Sequence, residues 1–174
     1  MQALRIWKTV VMDASNFLED LIQLLAHNGI RFCVIGGQGV NAYVEPLVSL
    51  DLDLAVALEQ LPQVETLLVQ RYKVARHPHS LNVSLQGSDL RVQFQTDPRY
   101  AAFVAHGRPK EVLGLTLPVA RVEDVLQGKV WAVQDATRRP SKRQKDLADI
   151  ARLLEAYPEF RVQVPQEVLA RLVF

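Results

Sequence analysis

The chain has 174 residues, 49% hydrophobic and 22% charged, enough apolar material for one packed domain with a real core. A net charge of +1 gives no global electrostatic argument for nucleic acid or for an acidic surface partner. A single cysteine, Cys33, excludes an internal disulfide and a cysteine-rich zinc site, and no uncharged apolar run approaches membrane-spanning length.

Met1 to Met12 carries Arg5 and Lys8 in a short mixed run, without the apolar core and small-residue cleavage site of a signal peptide, so a cytoplasmic protein is expected. Asp13 or Ser15 is placed to cap a first helix. Its Phe17, Leu18, Leu21, Ile22, Leu24 and Leu25 make one broad apolar face, ended by Asn28-Gly29. Residues 32–35 read as a short buried strand, in which Cys33 is a small buried hydrophobe and not a nucleophile. Gly36-Gly37 breaks that strand, and residues 38–44 suit a turn or two of helix before Pro46. From Leu50 to Leu58 the chain alternates strictly: leucines and Val56 point one way, Asp51, Asp53, Ala55 and Ala57 the other. A helix near 59–70 uses Val64, Leu67 and Leu68. Three short strands follow at 72–75, 81–85 and 90–96, the last two joined by a Gln86-Gly87-Ser88-Asp89 turn. Pro98 starts a short helix through Val104, and residues 112–119 are extended or irregular, with room for a final strand. Two strong helices at about 122–136 and 142–156 close the chain, with a short one after Pro165. The pattern predicts an α/β (α+β) fold, a small mixed β-sheet flanked by helices. Its core spans 15–120, with a helical C-terminal third over 121–174.

Asp51 and Asp53 lie on one face of their strand, about 6.5 to 7 Å apart along it. Two like charges on an otherwise hydrophobic element are costly unless a cation neutralises them. Mg²⁺ suits the task, because it takes one or two carboxylates with waters and phosphate oxygens. A Gly-rich turn opening a helix supplies the complement, free backbone N–H groups for a phosphate. Either motif alone reads more readily as a solvated edge or a plain turn; their order in the chain is what makes the pair specific.

The C-terminal helices carry a second signal. Val122, Val125, Leu126, Ala132 and Val133 form an inward stripe, and Lys129 falls inside it. A lysine on an apolar seam either meets an anion or snorkels to solvent at the core's edge. On the next helix Asp146 borders a stripe of Leu147, Ile150, Ala151 and Leu154, while Lys145 and Asp149 are spaced for a surface ion pair. The basic run Arg138, Arg139, Lys142, Arg143 and Lys145 reads as a solvated helix start more readily than as a nucleic-acid groove. His77-Pro78-His79 reads as a polar loop, since no third soft ligand lies nearby; His27 and His106 read as helix ends.

With these pieces placed, the chain resembles the nucleotidyltransferase superfamily of polymerase-beta-like fold, and within it the AbiEii-type and related minimal bacterial nucleotidyltransferases. The resemblance rests on Val34-Ile35-Gly36-Gly37 followed by Ser49-Leu50-Asp51-Leu52-Asp53-Leu54. Gly128-Lys129-Val130-Trp131-Ala132 and Arg143-Gln144-Lys145-Asp146-Leu147-Ala148-Asp149 then match the family's later blocks, so that roughly residues 15 to 155 are covered. It implies transfer of NMP from a nucleoside triphosphate such as ATP to a hydroxyl acceptor, which could be a protein side chain, a tRNA 3′ end or a small molecule such as an aminoglycoside. Asp51 and Asp53 would hold Mg²⁺ or Mn²⁺, Gly36, Gly37 and Ser49 would cradle phosphate, Lys129 would neutralise it, and Asp146 would orient Lys129 or the acceptor. Relatives include toxins of toxin–antitoxin pairs, which would bring an antitoxin partner. The chain also departs from the family. Leu47 and Ser49 stand where many relatives have Arg and Thr, and Gln93 stands at the third acidic position. Glutamine can coordinate a metal through its carbonyl oxygen but cannot act as a base. The rival expectation is a catalytically degenerate module that binds a nucleotide or a protein.

Overall fold

The computed structural model describes residues 16–173, so Asp13 and Ser15 lie outside the described residues. Helix α1 (Phe17–His27) leads to β1 (Phe32–Ile35), α2 (Gly36–Asn41) and β2 (Asp51–Val56). Next come α3 (Leu61–Val69) and the strands β3 (Lys73–His77), β4 (Ser80–Ser84) and β5 (Arg91–Gln95). Short α4 (Pro98–Ala101) precedes β6 (Arg108–Val112) and β7 (Leu115–Val119). Helices α5 (Val122–Gln134), α6 (Pro140–Ala156) and α7 (Gln166–Leu169) complete the chain. The strands form one mixed sheet in the order β3-β4-β5-β2-β1-β7-β6.

Alternation along β2 decides where everything else sits. Leu52, Leu54 and Val56 enter a core with Phe17, Leu21, Val64 and Leu68, so α1 and α3 cover that face. Ala55, on the opposite parity, enters a second core with Val125, Leu126, Leu147 and Ile150 from α5 and α6. Asp51 and Asp53 share the parity of Ala55 and therefore belong to the face that α5 and α6 roof. Antiparallel pairing sets Ile35 of β1 opposite Asp53, and parallel pairing sets β5 alongside β2, with Arg91 opposite Asp51 and Gln93 opposite Asp53.

Two local expectations needed revision. Helix α2 begins at the glycines themselves, not after them. Residues 108–119 form a β6–β7 hairpin whose turn residues Leu113 and Gly114 both have positive φ, 52° and 81°. A primed two-residue turn requires that geometry, but Leu at its first position hides the usual Asn-Gly signal. The Arg-Pro-Lys-Glu run of β6 also looks unlike a strand, because an edge strand tolerates proline and charge.

Candidate active site

The loop between α2 and β2 is tied to α2 by side-chain amides. Asn41 donates to the Leu47 carbonyl at 2.7 Å and accepts from the Leu47 N–H at 3.0 Å, and buried Gln38 donates to the Ser49 carbonyl at 3.3 Å. Ser49 Oγ accepts from the Asp51 N–H at 3.2 Å, so its hydroxyl fixes the entry to β2. Gly36 has φ +64°, and a Cβ there would stand 2.1 Å from Asp53 Oδ2. The glycine is therefore compelled by the carboxylate packed against it as well as by the backbone turn. Gly37 has open space where a Cβ would be.

The two aspartates have different surroundings. Arg91 Nε donates to Asp51 Oδ1 at 2.7 Å, and Lys142 Nζ lies 3.5 Å from Asp51 Oδ2. Asp53 lies deeper. Burial, reinforced by the charge of Asp51, pushes its carboxyl up to about 6, although Lys129 and, less strongly, Arg138 and Lys142 pull the other way.

Lys129 is buried on the inward face of α5, and the anions it meets are protein carboxylates: Asp146 Oδ1 at 3.0 Å and Asp149 Oδ2 at 2.8 Å. Burial works against its charge, but Asp149 and Asp146 together overcome that and hold its pKa above the usual lysine value. Asp146, at 1% exposure, also accepts from Arg138 Nε at 2.8 Å and Nη2 at 3.2 Å. The expected Lys145–Asp149 surface pair gives way to this arrangement, with Asp149 turned to Lys129 and to Arg152 Nη1 at 2.9 Å. Nor is the basic run simply solvated. Arg138, Lys142 and Lys145 line the cleft around the aspartates, while Arg143 donates to the carbonyls of Asp135 and Arg138, clasping the turn between α5 and α6.

Three cavities meet at Asp53, and two of them also at Asp51. One of about 440 Å³ lies over β5 and β4 and is lined by Asp51, Asp53, Gln93, Arg91, Asn82 and Lys73. A second, of about 200 Å³, runs from Gly37 and Ser49 past Asp51 and Asp53 to Lys129 and Lys145. The third, about 70 Å³, brings Gly36, Asp53, Gln93, Lys129 and Asp146 together. Every residue expected of the site from sequence thus lines one cleft. Arg91, Lys142, Arg138 and Asp149 join it; Arg138 and Lys142 stand in the basic run and Asp149 in the last block of the family resemblance, but the sequence alone assigned none of the four to the site.

Other titratable groups stand apart. Asp97 caps α4, accepting from the Arg99 N–H at 3.0 Å, and the Arg99 guanidinium holds its carboxyl below the usual range. Cys33 is buried, its thiol pushed up to about 12 by that burial, consistent with a packing role. His77 ends β3 opposite Ser80, and His106 Nδ1 lies 3.4 Å from Asp124 Oδ2.

The donor set suits a hard divalent cation. Asp51 and Asp53 share one strand face, burial leaves Asp53 short of compensating charge, and the amide of Gln93 stands in register beside it. Among the described residues no group of three or more His, Cys, Asp or Glu could hold a metal. An ion here would draw its remaining ligands from water and phosphate, as Mg²⁺ commonly does.

No protein-family model matches the chain, and no curated protein matches it in sequence. Solved structures do match in fold. The antibiotic-resistance factor ANT(2'')-Ia superposes with a TM-score of 0.57 at 11% identity, covering 87% of this chain and 94% of its own. The lincomycin-bound lincosamide antibiotic adenylyltransferase LnuA gives a TM-score of 0.53 at 12% identity, over 80% of this chain and 98% of its own. An antigenic nucleotidyltransferase-like protein from Paracoccidioides brasiliensis gives 0.52 at 17% identity, over 94% of this chain and 84% of its own. The chain has the nucleotidyltransferase fold. Among the described residues no helix is long and apolar enough to cross a membrane.

Proposed function

We propose that this chain is a divalent-metal-dependent nucleotidyltransferase that moves NMP from a nucleoside triphosphate to a hydroxyl acceptor. The observation that carries the reading is the convergence at Asp53 of two cavities, one lined by Gly36 and Lys129 and the other by Asp51 and Lys129, with Asp53 packed against Gly36 and short of neutralising charge. In the transfer, the acceptor oxygen bonds to the α-phosphorus and the bond from that phosphorus to the α–β bridging oxygen breaks. Pyrophosphate leaves, and the hydroxyl proton passes to water.

Asp51 and Asp53 would hold Mg²⁺ or Mn²⁺, which when bound neutralises phosphate charge and polarises phosphoryl oxygens. The chain's own groups supply position and field. Gly36 and Gly37 open α2, whose first-turn N–H groups have no intrahelical partner and suit a phosphate. Ser49 sets the course of β2 into the cleft. Lys142 and Lys145 reach the same cavity as Gly37 and suit the triphosphate. Lys129 acts from behind, its charge held by Asp146 and Asp149 and felt at Asp53. Asp146 positions Lys129 and Arg138 together.

A second reading, a nucleotide-binding module without turnover, draws on Gln93, which stands beside Asp53 where a carboxylate could accept a proton. Calorimetry with ATP, GTP, CTP and UTP, with and without Mg²⁺ or Mn²⁺, tests both. Metal-dependent binding that is lost in Asp51→Asn/Asp53→Asn supports the site; unchanged binding in that variant refutes it. Release of pyrophosphate from a bound nucleotide separates the enzyme from the module. The toxin reading adds an antitoxin partner, and an adjacent gene encoding one is its test.

A further inference from the structure

Building on the nucleotidyl-transfer reading, we infer that the hydroxyl acceptor is a phosphate-bearing molecule, seated on the open face of β3, β4 and β5. The sheet registers define that seat. Asp51 lies opposite Arg91, and Lys73 lies opposite Ser84 at the far strand, so one row runs from the metal-binding carboxylate to a lysine. A second row takes Asp53, Gln93, Asn82 and Ala75 across the same strands. Both rows lie on the face that carries Asp51 and Asp53, and β3 is largely exposed there.

The cavity over these rows, about 440 Å³, is the right size for a small ligand or the end of a larger one. Its charged lining is Asp51 and Asp53 against Lys73, Arg91, Arg138 and Lys142. With both aspartates given to a metal, the polar groups left for an acceptor would be these cations, the amides of Asn82 and Gln93 and the Ser84 hydroxyl. Among the described residues no aromatic side chain lines the cavity, so the lining supplies cations and amides in place of a stacking ring. Among the described lining residues a cationic, amine-rich acceptor would then find no further carboxylate to pair with. Phosphate would meet the planar guanidinium of Arg91, which donates to Asp51 and would be free to turn to it were a metal to take that carboxylate, and the ammonium of Lys73 beyond it.

The test uses the full chain with Mg²⁺ and a nucleoside triphosphate analogue whose α–β bridging oxygen is replaced by methylene, so that no transfer occurs. Four probes are titrated with and without the analogue: ribose 5-phosphate, ribose, a short single-stranded RNA with a 3′-hydroxyl, and tobramycin. At least one phosphate-bearing probe binds at least about 10-fold tighter than ribose and tobramycin, and Lys73→Glu, at an exposed position, removes most of that preference. Tight RNA binding with a steep salt dependence assigns a polynucleotide, whereas equal binding of ribose 5-phosphate with a shallow dependence assigns a small phosphorylated acceptor. Ribose or tobramycin binding as tightly as both phosphate probes, or a preference untouched by Lys73→Glu, overturns the acceptor assignment alone. Failure of the analogue to bind with Mg²⁺ overturns the nucleotidyl-transfer reading instead, and the probe preference is then judged from the titrations without analogue.

Discussion

Asp53→Asn should make the metal-free protein more stable while destroying its metal-dependent nucleotide binding. In the unfolded chain the carboxyl titrates near 3.8; in the native cleft burial and Asp51 push it up to about 6. At about 1.4 kcal/mol for each pH unit of that interval, ionising Asp53 costs the folded state about 3 kcal/mol. Below 3.8 the group is protonated in both states and the cost is absent. Between 3.8 and about 6 the unfolded chain ionises first, so native stability falls as pH rises; above 6 the full cost applies. Asparagine carries no charge and avoids it. For a domain of this size, about 3 kcal/mol corresponds to a rise in Tm of roughly 6 to 12 °C at pH 7.5, shrinking towards zero near pH 4. Scanning calorimetry of both proteins across that range reads the effect. Addition of Mg²⁺ with a nucleoside triphosphate should stabilise the native protein only and narrow the gap. A variant no more stable than the native chain at pH 7.5, or a gain that persists unchanged at pH 4, would refute the reasoning.

Gly36→Ala should cost at least about 1 to 2 kcal/mol from its left-handed backbone alone and displace the Asp53 carboxylate, abolishing metal-dependent nucleotide binding, whereas Gly37→Ala should be neutral or stabilising in thermal melts. Lys129→Met should lower stability by about 3 kcal/mol, the lower end for a broken buried pair, because Asp146 keeps Arg138 and Asp149 keeps Arg152. It should also weaken nucleotide binding, and calorimetry showing unchanged affinity would remove Lys129 from the site. Gln93→Asp should place a third carboxylate beside Asp53, making Tm more dependent on Mg²⁺ and raising pyrophosphate release by up to ~10²- to 10⁴-fold if a base is what the native site lacks.

Much of this was legible because β2 states its own geometry. Strict alternation from Leu50 to Leu58 put Asp51 and Asp53 on one face, and only the outer residues of that run fell away from the strand. Lys129 was legible as an anomaly, a charge on an apolar stripe, but not its partners: Asp146 and Asp149 lie one helix away, and i, i+4 spacing made Lys145 look like the natural mate of Asp149. Tertiary pairing overrode the local rule because a buried ammonium gains far more from a carboxylate than an exposed one does. Gly36 shows another limit. Its sequence context announces a turn, yet the carboxylate that forbids a side chain comes from a strand 17 positions on and is found only when Ile35 and Asp53 are paired. The β6–β7 hairpin escaped for want of a standard turn sequence.

Among the described residues the seven-stranded sheet is open, so its first and last strands offer backbone groups that another chain could join. Strand β6 carries Arg108, Pro109, Lys110 and Glu111, and β3 carries Lys73, Arg76 and His77, with Arg76 tied to Glu65 of α3. Proline deletes a donor, and dense charge makes close approach of a second copy costly. A concentrated solution should therefore resist edge-to-edge aggregation, and replacing Pro109 and Lys110 with valine should forfeit that protection without touching the cleft.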